Sequence, residues 1–85
     1  MCAGMDTDPD TFLRAYARVL RRHRKDMNLS QEELAFRAGL SMRYVSLLES
    51  GKHQPSLSTM KALADALDTN LTAMIGEVEN DNDQE

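Results

Sequence analysis

"LSQEELAFRAGLSMRYVSLLESG", residues 29–51, holds two short apolar-periodic segments joined by Gly39-Leu40-Ser41, and each opens on a serine. In the first, Ser30 is followed three residues on by Glu33. That spacing is a capping box: the hydroxyl accepts from the amide of the third helical residue, and the carboxylate reaches back to the cap's own amide. It predicts a helix over about Gln31–Ala38 with Leu34, Ala35 and Ala38 inward. Gly39 stands just past its end, where a positive φ costs glycine little. Ser41 caps a second helix, about Met42–Ser50, with Val45 and Leu48 inward, and Gly51 ends it in the same way. Met42, Arg43, Ser46 and Leu47 sit at spacings that do not belong to that inward face.

Outward from this stretch, residues 1–9 read as an acidic, flexible leader closed by Pro9, with Asp10 placed to cap a first helix. Phe12, Tyr16, Val19, Leu20, His23 and Met27 form one helical stripe, which predicts that helix from about Thr11 to Lys25. Arg14, Arg18, Arg21, Arg22 and Lys25 fill its other faces. His23, on the apolar stripe, reads as a buried or half-buried structural histidine. Beyond Gly51, "KHQPS" is a loop in which Pro55 breaks and Ser56 caps. Leu57, Met60, Leu63, Ala64 and Leu67 mark a fourth helix. Asn70 caps a short fifth one carrying Leu71, Met74, Ile75 and Val78. Residues 77–85 have almost no apolar content and are expected to be a disordered acidic tail. No strand-like alternation occurs. The expected fold is all-α: one compact five-helix bundle over residues 10–76.

The 85 residues carry a net charge of −4, but the charge is unevenly placed. All ten Lys and Arg lie between Arg14 and Lys61, where the only acids are Asp26, Glu32, Glu33 and Glu49, leaving the middle at +6 and the ends at −10. A basic segment of this kind points to a polyanion partner. The acids available for acid–base work are mostly on the ends, no nucleophile–histidine pair is visible, and four glycines do not make a phosphate loop. An enzyme is therefore not expected. Two distant histidines and the lone Cys2 make no metal site, and no cofactor or small-molecule ligand is implied. No apolar run approaches the ~18 residues needed to span a bilayer, and the acidic start is unlike a signal peptide. The expectation is a cytoplasmic protein.

Two short helices joined by a tight Gly-containing turn, with small Ala35 where they cross, make a helix-turn-helix. The longer stretch "LSQEELAFRAGLSMRYVSLLESGKHQPSLSTMKALADAL" resembles the phage-repressor/Cro-like, or XRE-type, family of DNA-binding domains. The resemblance runs from about residue 13 to 75 and includes Gln31, the Ala38-Gly39 turn, Glu49-x-Gly51 and Pro55-Ser56-Leu57. It implies a lambda-repressor-like five-helix domain that binds double-stranded operator DNA as a dimer, with the third helix in the major groove. It places Met42, Arg43, Ser46 and Leu47 at base-reading positions, Gln31 on the DNA backbone, and Arg24 with Glu49 in an ion pair tying helix one to helix three.

Residue chemistry supports those roles. Arginine can take guanine O6 and N7 bidentately, the apolar Met42 and Leu47 suit thymine methyls, and Ser46 discriminates weakly. Gln31 opens a helix, where free amides favour phosphate. Tyr44, Lys52 and His53 add expected phosphate contacts. Leu47, Phe36 and His23 depart from the family, where polar or basic, polar, and aliphatic residues respectively are usual. Leu71, Met74, Ile75 and Val78 are the expected homodimer interface, with Met74 and Val78 foremost. The sequence leaves several roles open: phage-type repressor, restriction–modification controller protein, self-regulating antitoxin, or a protein-interaction module that retains the fold. With only a tail after helix five, a stand-alone regulator without a ligand domain is expected.

Overall fold

The first helix begins where proline is best tolerated. In a computed structural model describing residues 9–83, α1 runs Pro9–Asp26, with proline at its first position. There the missing amide would have been unpaired anyway and φ is already helical. Asp10 consequently lies inside the first turn and not at the position before it. Residues 1–8 of the expected leader, including Cys2, and residues 84–85 lie outside the described residues. The remaining helices are α2 (Gln31–Ala38), α3 (Met42–Glu49), α4 (Leu57–Ala66) and α5 (Leu71–Asp83), and no strand occurs among the described residues.

The starts follow the serine and asparagine positions read from the sequence. Ser30 and Glu33 form the full capping box, with Glu33 N–H donating to Ser30 Oγ at 3.0 Å and Ser30 N–H to Glu33 Oε1 at 2.8 Å. Ser41, Ser56 and Asn70 accept from the amides of Tyr44, Thr59 and Ala73. Each such cap contributes about 1 kcal/mol.

The four ends of α1–α4 share one chemistry. A left-handed residue follows each helix: Asn28 (φ 59°), Gly39 (φ 74°), Gly51 (φ 77°) and Asp68 (φ 59°). The amide after each turns back to a carbonyl five residues earlier: Leu29 to Arg24, Leu40 to Ala35, Lys52 to Leu47 and Thr69 to Ala64. This is the Schellman arrangement, which satisfies the free carbonyls of the last turn. Short polar Asn and Asp adopt the left-handed conformation more readily than other non-glycine residues.

Helix α1 packs on α3 and α5, α2 on α3 and α4, and α4 on α5. The shared core is Ala15, Tyr16, Val19 and Leu20 from α1, Leu34 and Ala35 from α2, Val45 and Leu48 from α3, Met60, Leu63 and Ala64 from α4, then Leu67, Met74 and Val78. Small Ala35 sits buried, as the crossing of α2 with α3 requires. Tyr16 is buried, with its hydroxyl unpartnered. Burial, with Tyr44 adding to it, pushes this phenol well above the ordinary tyrosine range.

Three expectations are corrected. Leu57 belongs to the sequence stripe of α4 but is exposed. Its place is filled by buried Pro55, which shares with Met60 a small apolar cleft against Phe12, Leu13 and Tyr16. Pro55 and Met60 flank the Ser56 cap at the positions of a hydrophobic staple. Helix α5 continues to Asp83, so residues 77–83 are helical where a disordered tail was expected. Met74 and Val78 are fully buried in the single chain, and therefore close its own core instead of offering an interface. One buried valine and one paired glutamate suffice to carry the helix past Gly76: Glu77 accepts from Arg22 at 3.3 Å and meets His23 Nε2 at 3.0 Å.

A chain truncated after Gly76 loses the apolar burial of Val78, which amounts to about 1.5–3 kcal/mol. Urea unfolding is expected to show an unfolding free energy lower by that amount and hence a lower midpoint, and an unchanged midpoint would mean that the last two turns do not contribute to the core.

Candidate nucleic-acid interface

The end of α3 is fixed by a carboxylate drawn into the protein. Glu49 is 4% exposed, the one buried charged residue among those described. Arg24 of α1 donates to it through both sides of its fork, Nε to Oε2 at 2.6 Å and Nη2 to Oε1 at 2.9 Å. The third nitrogen of the same guanidinium, Nη1, donates to the carbonyl of Leu29 at 2.8 Å. Gln31 Nε2, at the start of α2, donates to Glu49 Oε1 at 3.1 Å. Arg21 Nη2 donates to the Glu49 carbonyl at 3.2 Å, at the α3 C-terminus where a cation is favoured. One carboxylate thus joins α1, the α1–α2 turn, the start of α2 and the end of α3. The Arg24–Glu49 pair was legible from the resemblance. The contributions of Gln31 and Arg21 were not, because neither spacing along the chain brings them to residue 49.

With Val45, Leu48 and Glu49 buried, the opposite side of α3 faces outward. Met42 (52% exposed), Arg43, Ser46 and Leu47 (40% exposed) all lie on it. The four residues singled out in the sequence are therefore together on one surface. They follow directly from the two-serine, two-glycine framing of a helix only eight residues long. Arg43 and Lys52 are exposed and have no carboxylate partner among the described residues. Tyr44 is half-buried, and its ring meets that of His53 edge-on, centroids 4.9 Å apart at 73°. This contact ties the flank of α3 to the following loop. Gln31 is half-buried, with its amide turned toward Glu49.

Of the expected interface residues, Leu71 and Ile75 remain half-buried against the core and keep part of their surface outward. His23 is half-buried as expected and faces Glu77. Phe36, on the outer face of α2, is 86% exposed and lines a shallow groove with Leu29, Glu32, Glu33 and Arg37. No helix among the described residues is long and apolar enough to cross a membrane.

This architecture has known counterparts. The family described as helix-turn-helix (HTH_3) matches residues 20–74, more than half of the chain. The immunity repressor protein of Bacillus phage phi105 is 43% identical over 54 residues, which are 64% of this chain and 38% of the repressor. An HTH-type transcriptional regulator of Methanothermobacter thermautotrophicus is 43% identical over 49 residues, 58% of this chain and 71% of that protein. The chain thus spans well under half of the phage repressor's length. Among solved structures, the restriction–modification controller protein C.AhdI of Aeromonas hydrophila superposes with a TM-score of 0.71 at 39% identity, over 73% of this chain and 94% of C.AhdI. The clp gene regulator ClgR of Corynebacterium glutamicum gives a TM-score of 0.82 at 25% identity, over 86% of this chain and 78% of ClgR.

The chain belongs to the helix-turn-helix family. That family, of XRE type, is one of DNA-binding transcriptional regulators and is not a class of enzymes.

Glu49→Ala leaves Arg24 without its bidentate partner in a largely buried place. Such a loss costs about 3–5 kcal/mol, while replacing both partners by apolar residues of similar volume, Arg24→Met with Glu49→Leu, recovers much of it. Urea unfolding of the single and double variants measures both. Equal destabilisation in the two would show that the charges themselves, and not the orphaned one, carry the stability.

Proposed function

We propose that this chain regulates transcription in the cytoplasm by binding a pseudopalindromic operator as a homodimer, with α3 in the major groove. The observation that carries the reading is the division of α3. Val45, Leu48 and Glu49 anchor one side, while Met42, Arg43, Ser46 and Leu47 stand together on the other. Arg43 is the base reader with the strongest chemistry, a fork matched to the guanine edge. Met42 and Leu47 supply apolar contact to thymine methyls, and Ser46 a weak polar one. Lys52, His53, Tyr44 and the start of α2 at Gln31 hold the backbone on either side. The net +6 of residues 14–61 fits a duplex, and the similarity to a phage repressor and to a restriction–modification controller protein supports a regulator of either kind.

One recognition helix covers only a few base pairs, so specific binding calls for two half-sites about one DNA turn apart. Leu71 and Ile75 keep outward surface on α5 and are the residues through which two copies would pair. A second reading, a protein-interaction module that retains the fold, is favoured by one observation, the exposed Phe36. Steeply salt-dependent binding to a duplex separates the two.

Arg43→Ala is expected to weaken operator binding by roughly 1–3 kcal/mol and to relax preference at one base position. Lys52→Ala is expected to weaken all sequences alike and to reduce the salt slope by about one unit. Selection of bound sites from a random duplex pool, followed by titration at several salt concentrations, measures both. Equal, sequence-blind losses would remove Arg43 from the reading edge.

For assembly, sedimentation equilibrium at micromolar concentration is expected to give a dimer for the native chain and a monomer for Ile75→Asp. A native monomer that binds a palindromic site without cooperativity would overturn the pairing.

A further inference from the structure

Helix α1 starts at Pro9, well ahead of Leu20, the first residue matched by the family. These first turns are not loose. Phe12, Leu13 and Tyr16 pack about Gln54, Pro55 and Met60, so the first turns of α1 are held against the loop that follows α3. The contact is closest at Gly51. A Cβ built on that glycine would lie 3.4 Å from Arg14 Cγ and 3.6 Å from Arg14 Cα. Gly51 therefore meets two constraints at once, a positive φ and the approach of α1. Arg14 is exposed, and no carboxylate pairs with it among the described residues. It sits directly beside the residue that precedes Lys52.

The same edge of α1 is basic along its length. Arg14, Arg18, Arg21 and Lys25 recur at i, i+4, i+7 and i+11, one narrow stripe about 16 Å long. Further along it, Arg21 donates to the carbonyl of Glu49 at the end of α3. The stripe thus runs beside the C-terminal end of the recognition helix, and Arg14 extends it to the α3–α4 loop.

We infer that Arg14 is a DNA-backbone contact outside the family-matched segment, acting with Lys52 to hold the phosphates beside the α3–α4 loop. The observation behind it is the packing of Arg14 on Gly51, with Arg14 exposed and without a carboxylate partner among the described residues. The inference rests on the duplex-binding reading above and adds a positioning residue to it. Arg14 carries no sequence information: a guanidinium on phosphate neutralises charge whatever the base pairs.

The test is the salt dependence of binding to a random-sequence duplex and to a selected site, with the full chain and its Arg14→Ala, Arg14→Gln and Arg14→Lys variants. Each neutralised phosphate contributes close to one unit to the slope of log K against log salt. Arg14→Ala and Arg14→Gln are expected to lose about one unit on both duplexes while keeping the same base preferences. Arg14→Lys, which keeps the charge, is expected to retain the native slope. Native slopes in folded Arg14→Ala or Arg14→Gln would overturn the inference and leave the duplex-binding reading intact. So would a Lys variant as impaired as the Ala variant, since charge would then not be the cause. A native chain with no salt-dependent duplex binding would overturn both.

Discussion

The orientation of α3 against α1 and α2 follows from how the protein accommodates the Glu49 carboxylate. A carboxylate is expensive to desolvate, and it is tolerated at 4% exposure because Arg24 and Gln31 place three side-chain donors on its oxygens. Those donors come from α1 and from the first residue of α2. Their geometry therefore fixes α3 relative to both. A buried ion pair of this sort adds little net stability over well-packed apolar residues, so its effect here is on orientation. Arg24 extends the constraint by also donating to Leu29, which pins the turn into α2. The outward face of α3 can present Met42, Arg43, Ser46 and Leu47 in one direction only while this arrangement holds.

The same economy of partners governs the surface charge. Arg24 and Arg21 are engaged by Glu49, Arg22 and His23 meet Glu77, and Lys61 pairs with Asp65. Arg14, Arg43 and Lys52 have no carboxylate partner among the described residues. The unpaired cations thus include those on and beside α3. A chain with a net charge of −4 can in this way display local positive charge where the outward face of α3 is exposed. Charges already paired would have to be released before they could neutralise a phosphate.

The short helices are possible because nothing asks them to be stable alone. Helices α2 and α3 have eight residues each, well below the ~12–15 at which an isolated helix becomes even marginal in water. Their caps satisfy the free amides and carbonyls at both ends, and burial of Leu34, Ala35, Val45 and Leu48 supplies the remainder. Helix α5 completes that core through Met74 and Val78 and packs on α1 and α4.

Most helix starts and two of the helix ends were legible in the residues alone, the start of α1 excepted, because their chemistry is local. Ser30 with Glu33, Ser41, Ser56 and Asn70 announce helix starts, and Gly39 and Gly51 announce ends, because caps and left-handed turns are satisfied within a few residues. The stripe of α1 and the outward position of Met42, Arg43, Ser46 and Leu47 follow from helical periodicity in the same way. The remaining features depend on long-range packing. Met74 and Val78 looked available because the sequence cannot say which apolar residues a neighbouring helix will cover, and α1 and α4 cover them. Leu57 looked buried because periodicity cannot reveal that Pro55 already fills the space at the helix entrance. Residues 77–83 looked too polar to fold because one valine is a weak local signal, yet it becomes decisive once long-range contacts bury it and pair Glu77 with α1. The Glu49 junction has the same cause: its donors lie 18 to 28 residues away, and only packing brings them to a single carboxylate and its carbonyl.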